Sequence, residues 1–318
     1  MADYHSMWES LGMDVKTHDL LCEALPGAFG DVYLSQENRP ESMDYFNLVV
    51  AEIHGLRPAE LVEHKKNGGK VVGTFCIHVP DEIPISAGAI ATGLCSGSQF
   101  WVPGGEKKLP AATCPLIKAS LGARFDRTCP FFRLADMFVG ENTCDGKKKA
   151  WEILAEDAEM YIMDIPQMKR PEDYLHWNEE IHGYLKRCEE LTGNKVTPAN
   201  LHSAIKLLNL KRKALQRLAS FRKLENIPIS GKDVLLITQI AFYDDPARIT
   251  AQINKLCDEL EERAKNNVSV FLIASGSSCF APGCNLHHIF GLTPPVVCEP
   301  CAGVRYYGIA LRLCAMKP

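Results

Sequence analysis

K-V-V-G-T-F-C, from Lys70 to Cys76, is a short run of β-branched and aromatic residues that stops at a cysteine. It is too short for a helix and too apolar for a loop, so it reads as a buried strand. Two later stretches share this character: M-F-V-G-E (Met137 to Glu141) and E-M-Y-I-M-D-I-P (Glu159 to Pro166), the second read as another buried strand. Helical patterns separate them. C-P-L-I-K-A-S-L-G (Cys114 to Gly122) opens one helix and K-K-K-A-W-E-I-L-A (Lys147 to Ala155) forms another. I-S-A-G-A-I-A-T-G-L (Ile85 to Leu94) is expected to be a small-residue helix packed closely on a sheet. Such alternation predicts an α/β fold, a parallel sheet with helices on both faces. Ligands then sit beyond the carboxyl ends of the strands. Cys76 ends the first strand and Cys144 closely follows Met137 to Glu141.

Working outward, residues 1–60 form a helical lead-in, with apolar residues at three-to-four spacing in W-E-S-L-G-M, H-D-L-L-C-E-A-L and F-N-L-V-V-A-E-I-H-G-L. Cys22 lies on one such apolar face and is assigned to the core. Residues 61–171 make the first α/β domain, with most of the candidate ligand cysteines, and 172–230 a helical connecting segment. Within that segment Thr197-Pro198 starts a long helix, Thr197 as N-cap and Pro198 at the first helical position. Its basic run, K-L-L-N-L-K-R-K-A-L-Q-R, keeps leucines at helical spacing, so the charges are assigned to a solvated face. Residues 231–318 are expected to form a second α/β domain, incomplete or truncated. Its elements would be a strand at Lys232 to Ile240, a helix near Pro246 to Lys265 and a strand at Val268 to Ser275. Cys188 and Cys257 fall in helical patterns and are read as structural.

The chain has 318 residues, 46% apolar and 23% charged, with a formal net charge of −4. With a pI near 6.2 there is no electrostatic case for nucleic acid or a membrane surface. The N-terminus lacks a signal layout and no apolar run is long enough to span a bilayer, so a cytoplasmic location is expected. Thiols stay reduced there, and thirteen cysteines then point to metal or redox chemistry and not to a disulfide framework.

Five of those cysteines, Cys76, Cys95, Cys114, Cys129 and Cys144, fall between Thr74 and Lys149, each beside a turn-former or a segment boundary. Two repeat as T-C-P. Cys-Pro is a frequent context for iron–sulfur ligation, and soft, charged thiolates converging from separate loops suit iron. The wide gaps exclude a ferredoxin-like run. Two other readings stand beside this one. Cys279-x4-Cys284 with His287 and His288, then Cys298-x2-Cys301, offers zinc ligands. Cys298-Glu299-Pro300-Cys301 has the form of a thiol redox pair, without a clear helix to follow it. There is no glycine-rich nucleotide loop of either common type. His78 is a candidate proton donor, against a purely structural role. Asp81 and Glu82 suit a proton shuttle or a cap on the following helix.

The motifs W-E-S-L-G-M, L-P-G-A-F-G-D-V-Y-L-S-Q-E-N-R-P-E-S-M-D-Y-F-N, G-T-F-C-I-H-V-P-D-E-I, L-P-A-A-T-C-P-L-I-K-A-S-L-G, E-N-T-C-D-G-K-K-K and L-I-T-Q-I-A-F-Y-D-D-P carry a resemblance. From about Met7 to Lys265 the chain resembles the 2-hydroxyacyl-CoA dehydratase and benzoyl-CoA reductase subunit family. Within it, the chain is most similar to the anaerobic reductases that carry a double-cubane cluster. The resemblance implies two Rossmann- or flavodoxin-like α/β domains with short parallel sheets, facing each other across a cluster-bearing cleft. It implies a 4Fe–4S cofactor, in the reductase branch two cubanes joined by a bridging sulfide. It also implies a separate activator ATPase with its own 4Fe–4S cluster. ATP would be used by that partner and not bound by this chain. Reductases of the family would be homodimers, dehydratases heterodimers. Cys114 and Cys144 match the family's cysteine motifs, followed by Cys76, Cys129 and Cys301, the last within C-x-G-x-R-Y; Cys95 is a further metal-site candidate. His78 and Glu82, read from the residues themselves, are the catalytic candidates, and His78 stands where the family usually has an aromatic residue. The chain departs from the family after about Val270, and Cys279, Cys284 and Cys314 have no counterpart there. The expected function is ATP-dependent, low-potential reduction of a small molecule. The alternatives are a 2-hydroxyacyl-CoA dehydratase subunit or a non-catalytic, truncated or zinc-stabilised scaffold.

Overall fold

A computed structural model describes residues 3–94, 97–268 and 270. Four helices lead in: α1 (His5–Ser10), α2 (Val15–Phe29), α3 (Asp44–Ala51) and α4 (Leu56–Lys66). The α/β part follows as β1 (Val71–Thr74), α5 (Glu82–Ser86), β2 (Ile90–Gly93), α6 (Val102–Glu106), α7 (Pro115–Phe125), α8 (Pro130–Leu134), β3 (Met137–Glu141), α9 (Asp145–Ala155) and β4 (Met160–Met163). Then come α10 (Pro171–Thr192), α11 (Pro198–Ser220), α12 (Gly231–Ile240) and α13 (Pro246–Lys265). No helix among the described residues is long and apolar enough to cross a membrane.

The four strands form one wholly parallel sheet in the order β2-β1-β3-β4. Val71 pairs with Ile90, Val72 with Met137 and Phe138 with Met160. Every residue of the central strands β1 and β3 is buried. Alternate residues point to opposite faces: Val71, Phe75 and Phe138 join the large core shared with the lead-in, α7, α12 and α13. Val72, Met137 and Val139 pack on the other face with Tyr184 and Cys188 of α10. The chain is therefore α/β with helices on both sides, as the alternation predicted.

Three expectations need correction. Ile85 to Leu94 is not one helix: α5 stops at Ser86, Gly88 turns the chain at φ +84°, and Ile90–Gly93 becomes strand β2. Small residues there allow close approach, since a Cβ on Gly93 would lie 2.9 Å from the Cβ of Phe242. The strand predicted over Glu159 to Pro166 exists as β4, but at the sheet edge and only partly buried. Lys232 to Ile240 is a helix, not a strand. Ser230 caps it by accepting from the Asp233 amide at 3.1 Å, and Val234, Ile237 and Leu236, Ile240 fall on its buried side at helical spacing. The strand expected at Val268 to Ser275 lies, apart from Val268 and Val270, outside the described residues.

α12 and α13 close against the lead-in. Arg39 donates to the buried Asp233 at 2.7 Å, Glu259 accepts from the Glu41 and Ser42 amides at 2.8 Å each, and Arg248 grips Glu60 at 2.6 and 3.0 Å. The turn between them covers the exposed edge of β2, where Gly93 donates to the Phe242 carbonyl at 2.8 Å. α6 and α7 cross so closely that a Cβ on Gly122 would sit 1.9 Å from the Trp101 carbonyl oxygen. That crossing fixes where α7 begins.

Candidate functional site

The carboxyl ends of β1, β2 and β3 open into a cavity of about 610 Å³, a size that suits a small ligand. Its walls are mostly apolar, from Leu21, Phe29, Phe131, Phe132 and Trp151, with Cys76, His78, Asp81, Cys129, Glu141, Lys147, Lys211 and Arg212 as chemically active members.

Local sequence sets each cysteine. Cys76 follows β1 by two residues and is half-buried. A residue before proline is held out of the helical region, and proline suits the first helical position. In each T-C-P, which follows a turn, the cysteine is extended and a helix starts at the proline. Cys114 (ψ 127°) is the N-cap of α7 and Cys129 (ψ 117°) the N-cap of α8. Cys144 (ψ 157°) is the N-cap of α9, its Sγ accepting from the Lys147 amide at 3.4 Å. Cys114 and Cys144 are exposed, Cys129 is buried. The starts of α7 and α9 abut: a Cβ on Gly146 would meet the Ile117 Cδ1 at 2.9 Å and the Thr113 Cγ2 at 3.7 Å, on either side of Cys114. Leu116, Ile117, Thr143 and Lys147, their neighbours, line the cavity.

Among the described residues, the ligand atoms of no three of these four cysteines lie within 4.8 Å of one another. They do not form a cage for a single ion. Cys76 and Cys129 line the cavity, and Cys114 and Cys144 do not. Burial, reinforced by Glu141, pushes the Cys76 thiol up to about 11, against the opposing pull of Lys147 and the His78 amide. It is thus a neutral thiol until a metal displaces its proton. Glu141 is itself buried and held by Thr143 Oγ1 at 2.9 Å and by the Lys147 ammonium.

His78 is exposed at the cavity rim. Glu82 does not line the cavity; its carboxylate pairs with Arg212 at 2.6 Å, tying α5 to α11. Its neighbour Asp81 lines the wall instead, makes no side-chain cap bond, and is raised by burial to about 6 despite Lys211 and Arg212 nearby. A carboxyl that titrates there can give or take a proton near neutral pH. The basic run of α11 is only partly a solvated face: Arg217 reaches Asp258 and Glu261, but Lys211 turns inward, donating to the Ala241 carbonyl at 3.2 Å, where burial lowers its ammonium below the usual range. The signal for Lys211 was its place one turn from Leu208 and Leu215, which also line the cavity. Cys95 and Cys301, and with them Cys279, Cys284, Cys298, His287 and His288, lie outside the described residues.

Similarity to known proteins bears on this site. The family model described as 2-hydroxyglutaryl-CoA dehydratase, D-component, matches residues 76–312. YjiM of Escherichia coli (strain K12), named as an inferred dehydratase subunit, is 38% identical over 184 residues, 58% of this chain and 48% of that protein. The (R)-phenyllactyl-CoA dehydratase beta subunit of Clostridium sporogenes is 22% identical over 203 residues, 62% of this chain and 53% of its own. A benzoyl-CoA reductase subunit of Thauera aromatica is 22% identical over 225 residues, 68% and 57% respectively. The chain thus spans about half the length of the curated relatives it matches.

Proposed function

The chain belongs to the 2-hydroxyglutaryl-CoA dehydratase D-component family, and we propose that it is a dehydratase- or reductase-type subunit holding a cysteine-ligated iron–sulfur cluster at the carboxyl end of its sheet. What supports this reading is that Cys76 and Cys129 line the cavity at that end of the sheet, while Cys114 and Cys144 cap the abutting starts of α7 and α9, whose neighbouring residues line it. These four would hold the cluster, with Cys301 and Cys95 as further ligands. Bound there, it would supply low-potential one-electron chemistry. The chain's own residues do the rest. The Lys147 ammonium offsets the buried charge of Glu141. Apolar walls exclude water, which strengthens every charge interaction inside. Lys211 and Arg212 add positive charge for an anionic substrate or intermediate, while Asp81 in the wall and His78 at the rim can move protons. Glu82 acts through Arg212 to hold α5 against α11.

In the finer form of this reading the chain is a double-cubane reductase of small molecules. It works as a cytoplasmic homodimer and receives electrons from an activator ATPase that spends the ATP; residues 231–318 begin a second α/β unit. The names of YjiM and the phenyllactyl-CoA enzyme favour a second reading, a 2-hydroxyacyl-CoA dehydratase subunit in a heterodimer. One experiment separates them. Oxygen-free chain, an activator ATPase of this family, a low-potential donor and ATP are combined, and the chain's visible absorbance is followed. Bleaching that requires hydrolysable ATP is expected. Its absence, or bleaching at full rate without ATP, contradicts the coupled mechanism. Formation of an enoyl-CoA on adding an (R)-2-hydroxyacyl-CoA selects the dehydratase reading.

A further inference from the structure

Among the described residues, one group of side chains gathered closely enough to hold a metal ion comes from the lead-in. Asp14 caps α2, accepting from the Thr17 amide at 3.1 Å and the Thr17 hydroxyl at 2.9 Å. That start places His18 and Cys22, four residues apart, on one helix face. His54 reaches them from the turn after α3. The turn is held by Trp8 Nε1, which donates to the His54 carbonyl at 2.8 Å, and by Gly55, where a Cβ would sit 2.1 Å from the Tyr4 ring. His18 and His54 are buried (0% and 7% exposed) and Cys22 is half-buried. His18 Nε2 lies 2.8 Å from His54 Nδ1, the Cys22 Sγ lies 3.6 Å from His18 Nε2, and all three ligand atoms fall within 4.8 Å of one another.

Two imidazoles and a thiol gathered inside an aromatic shell are a poor apolar core. His18 meets the Trp8 ring edge-on at 4.3 Å, and His54 lies near Trp101. As a donor set they suit a borderline-soft ion. We propose that His18 Nε2, His54 Nδ1 and Cys22 Sγ bind a single divalent ion of the zinc class, separate from the cysteine site, with a fourth position left for solvent or a ligand from the cavity that His54 lines. The geometry is close to what this needs. Tetrahedral zinc bonds of about 2.05 Å to nitrogen and 2.3 Å to sulfur set nitrogen–nitrogen edges of about 3.3 Å and nitrogen–sulfur edges of about 3.5 Å. The Cys22–His18 edge is already met and the Cys22–His54 edge is no longer than 4.8 Å, while the imidazole pair must open by about half an ångström. The ion would join α2 to the turn that precedes α4, fastening the lead-in to the cavity wall. The signal in the sequence is His18-x3-Cys22, hidden because its third member is thirty-two residues further on.

The test uses the full chain, reduced, oxygen-free and stripped of metal, titrated with cobalt(II) and then zinc(II). Cobalt should give tetrahedral ligand-field bands and a thiolate-to-cobalt charge-transfer band, both removed by zinc. The Cys22→Ala variant should lose a charge-transfer component that the wild type shows, and His18→Gln should weaken this site by more than about 10-fold. Serine substitutions at Cys279, Cys284, Cys298 and Cys301, or at Cys76, Cys114, Cys129 and Cys144, should leave that component in place. Cys22→Ala exchanges a half-buried thiol for a methyl group, and circular dichroism confirms its fold, so the wild-type-minus-variant spectrum alone is decisive. A spectrum and affinity unchanged by Cys22→Ala overturn the proposal. Cobalt bound only through the other cysteines overturns it as well.

Discussion

Replacing Cys114 and Cys144 together by serine is expected to remove most of the bound iron while leaving the fold's stability within about 1 kcal/mol of the wild type. Both cysteines are exposed N-caps, so neither fills the core. Serine is among the best capping residues, and at position 144 it can accept from the Lys147 amide as the thiol does. What serine does not supply is a soft sulfur donor for iron. The double variant should therefore keep its thermal transition and lose its visible chromophore. Cys188→Ala and Cys257→Ala are the contrasting case. Both side chains are fully buried, one on each side of the sheet. Loss of each sulfur should cost about 1–2 kcal/mol of stability through the cavity it leaves, with iron retained. Iron content unaffected by the double substitution would show that the iron is held elsewhere.

Asp81→Asn is expected to stabilise the protein at pH 7.5, by up to about 3 kcal/mol, and to have no effect below about pH 3. Burial raises the folded-state carboxyl from 3.8 to about 6, with Glu82 adding to the rise and Lys211 and Arg212 opposing it. The folded chain then binds more protons than the unfolded chain between those two values. Stability falls as pH rises through that window, and the full cost of the charged carboxylate is carried above about pH 6. Asparagine carries no such charge. Urea melts of both proteins from about pH 3 to pH 7.5 measure the difference, which should grow from near zero at about pH 3 to its plateau near pH 7. A difference independent of pH would place an ordinary, solvated carboxylate at the cavity wall. It would also remove Asp81 as a proton donor near neutrality.

The sheet's centre was legible in sequence because β1 and β3 are buried on both faces and so lack polar interruption. β2 was not. Its residues, Ile90-Ala-Thr-Gly93, have little side-chain character, and the small residues before them suit a packed helix equally well. Lys232 to Ile240 failed differently. A short apolar run has no period that separates a strand from a buried helix. The distinguishing mark was the cap, Ser230 with Asp233 in the first turn, and it needed weighing above β-propensity. Most of the candidate ligands stood out because a cysteine between Thr and Pro, or before Asp-Gly, cannot sit inside a regular element. The charged cavity residues stood out far less. Lys211 and Arg212 lie in a helix with many solvated cations, and only the packing of α11 against α5 brings these two, Arg212 still exposed, to the cavity lining.

The central claim is that the cysteines at the carboxyl end of the sheet hold an iron–sulfur cluster. Iron, acid-labile sulfide and zinc per chain, assayed on protein purified without oxygen, test it most directly. Iron and sulfide are expected in equal amounts, about eight of each for two cubanes and no fewer than about four for one. A folded chain with neither iron nor sulfide, whatever its zinc content, would contradict it.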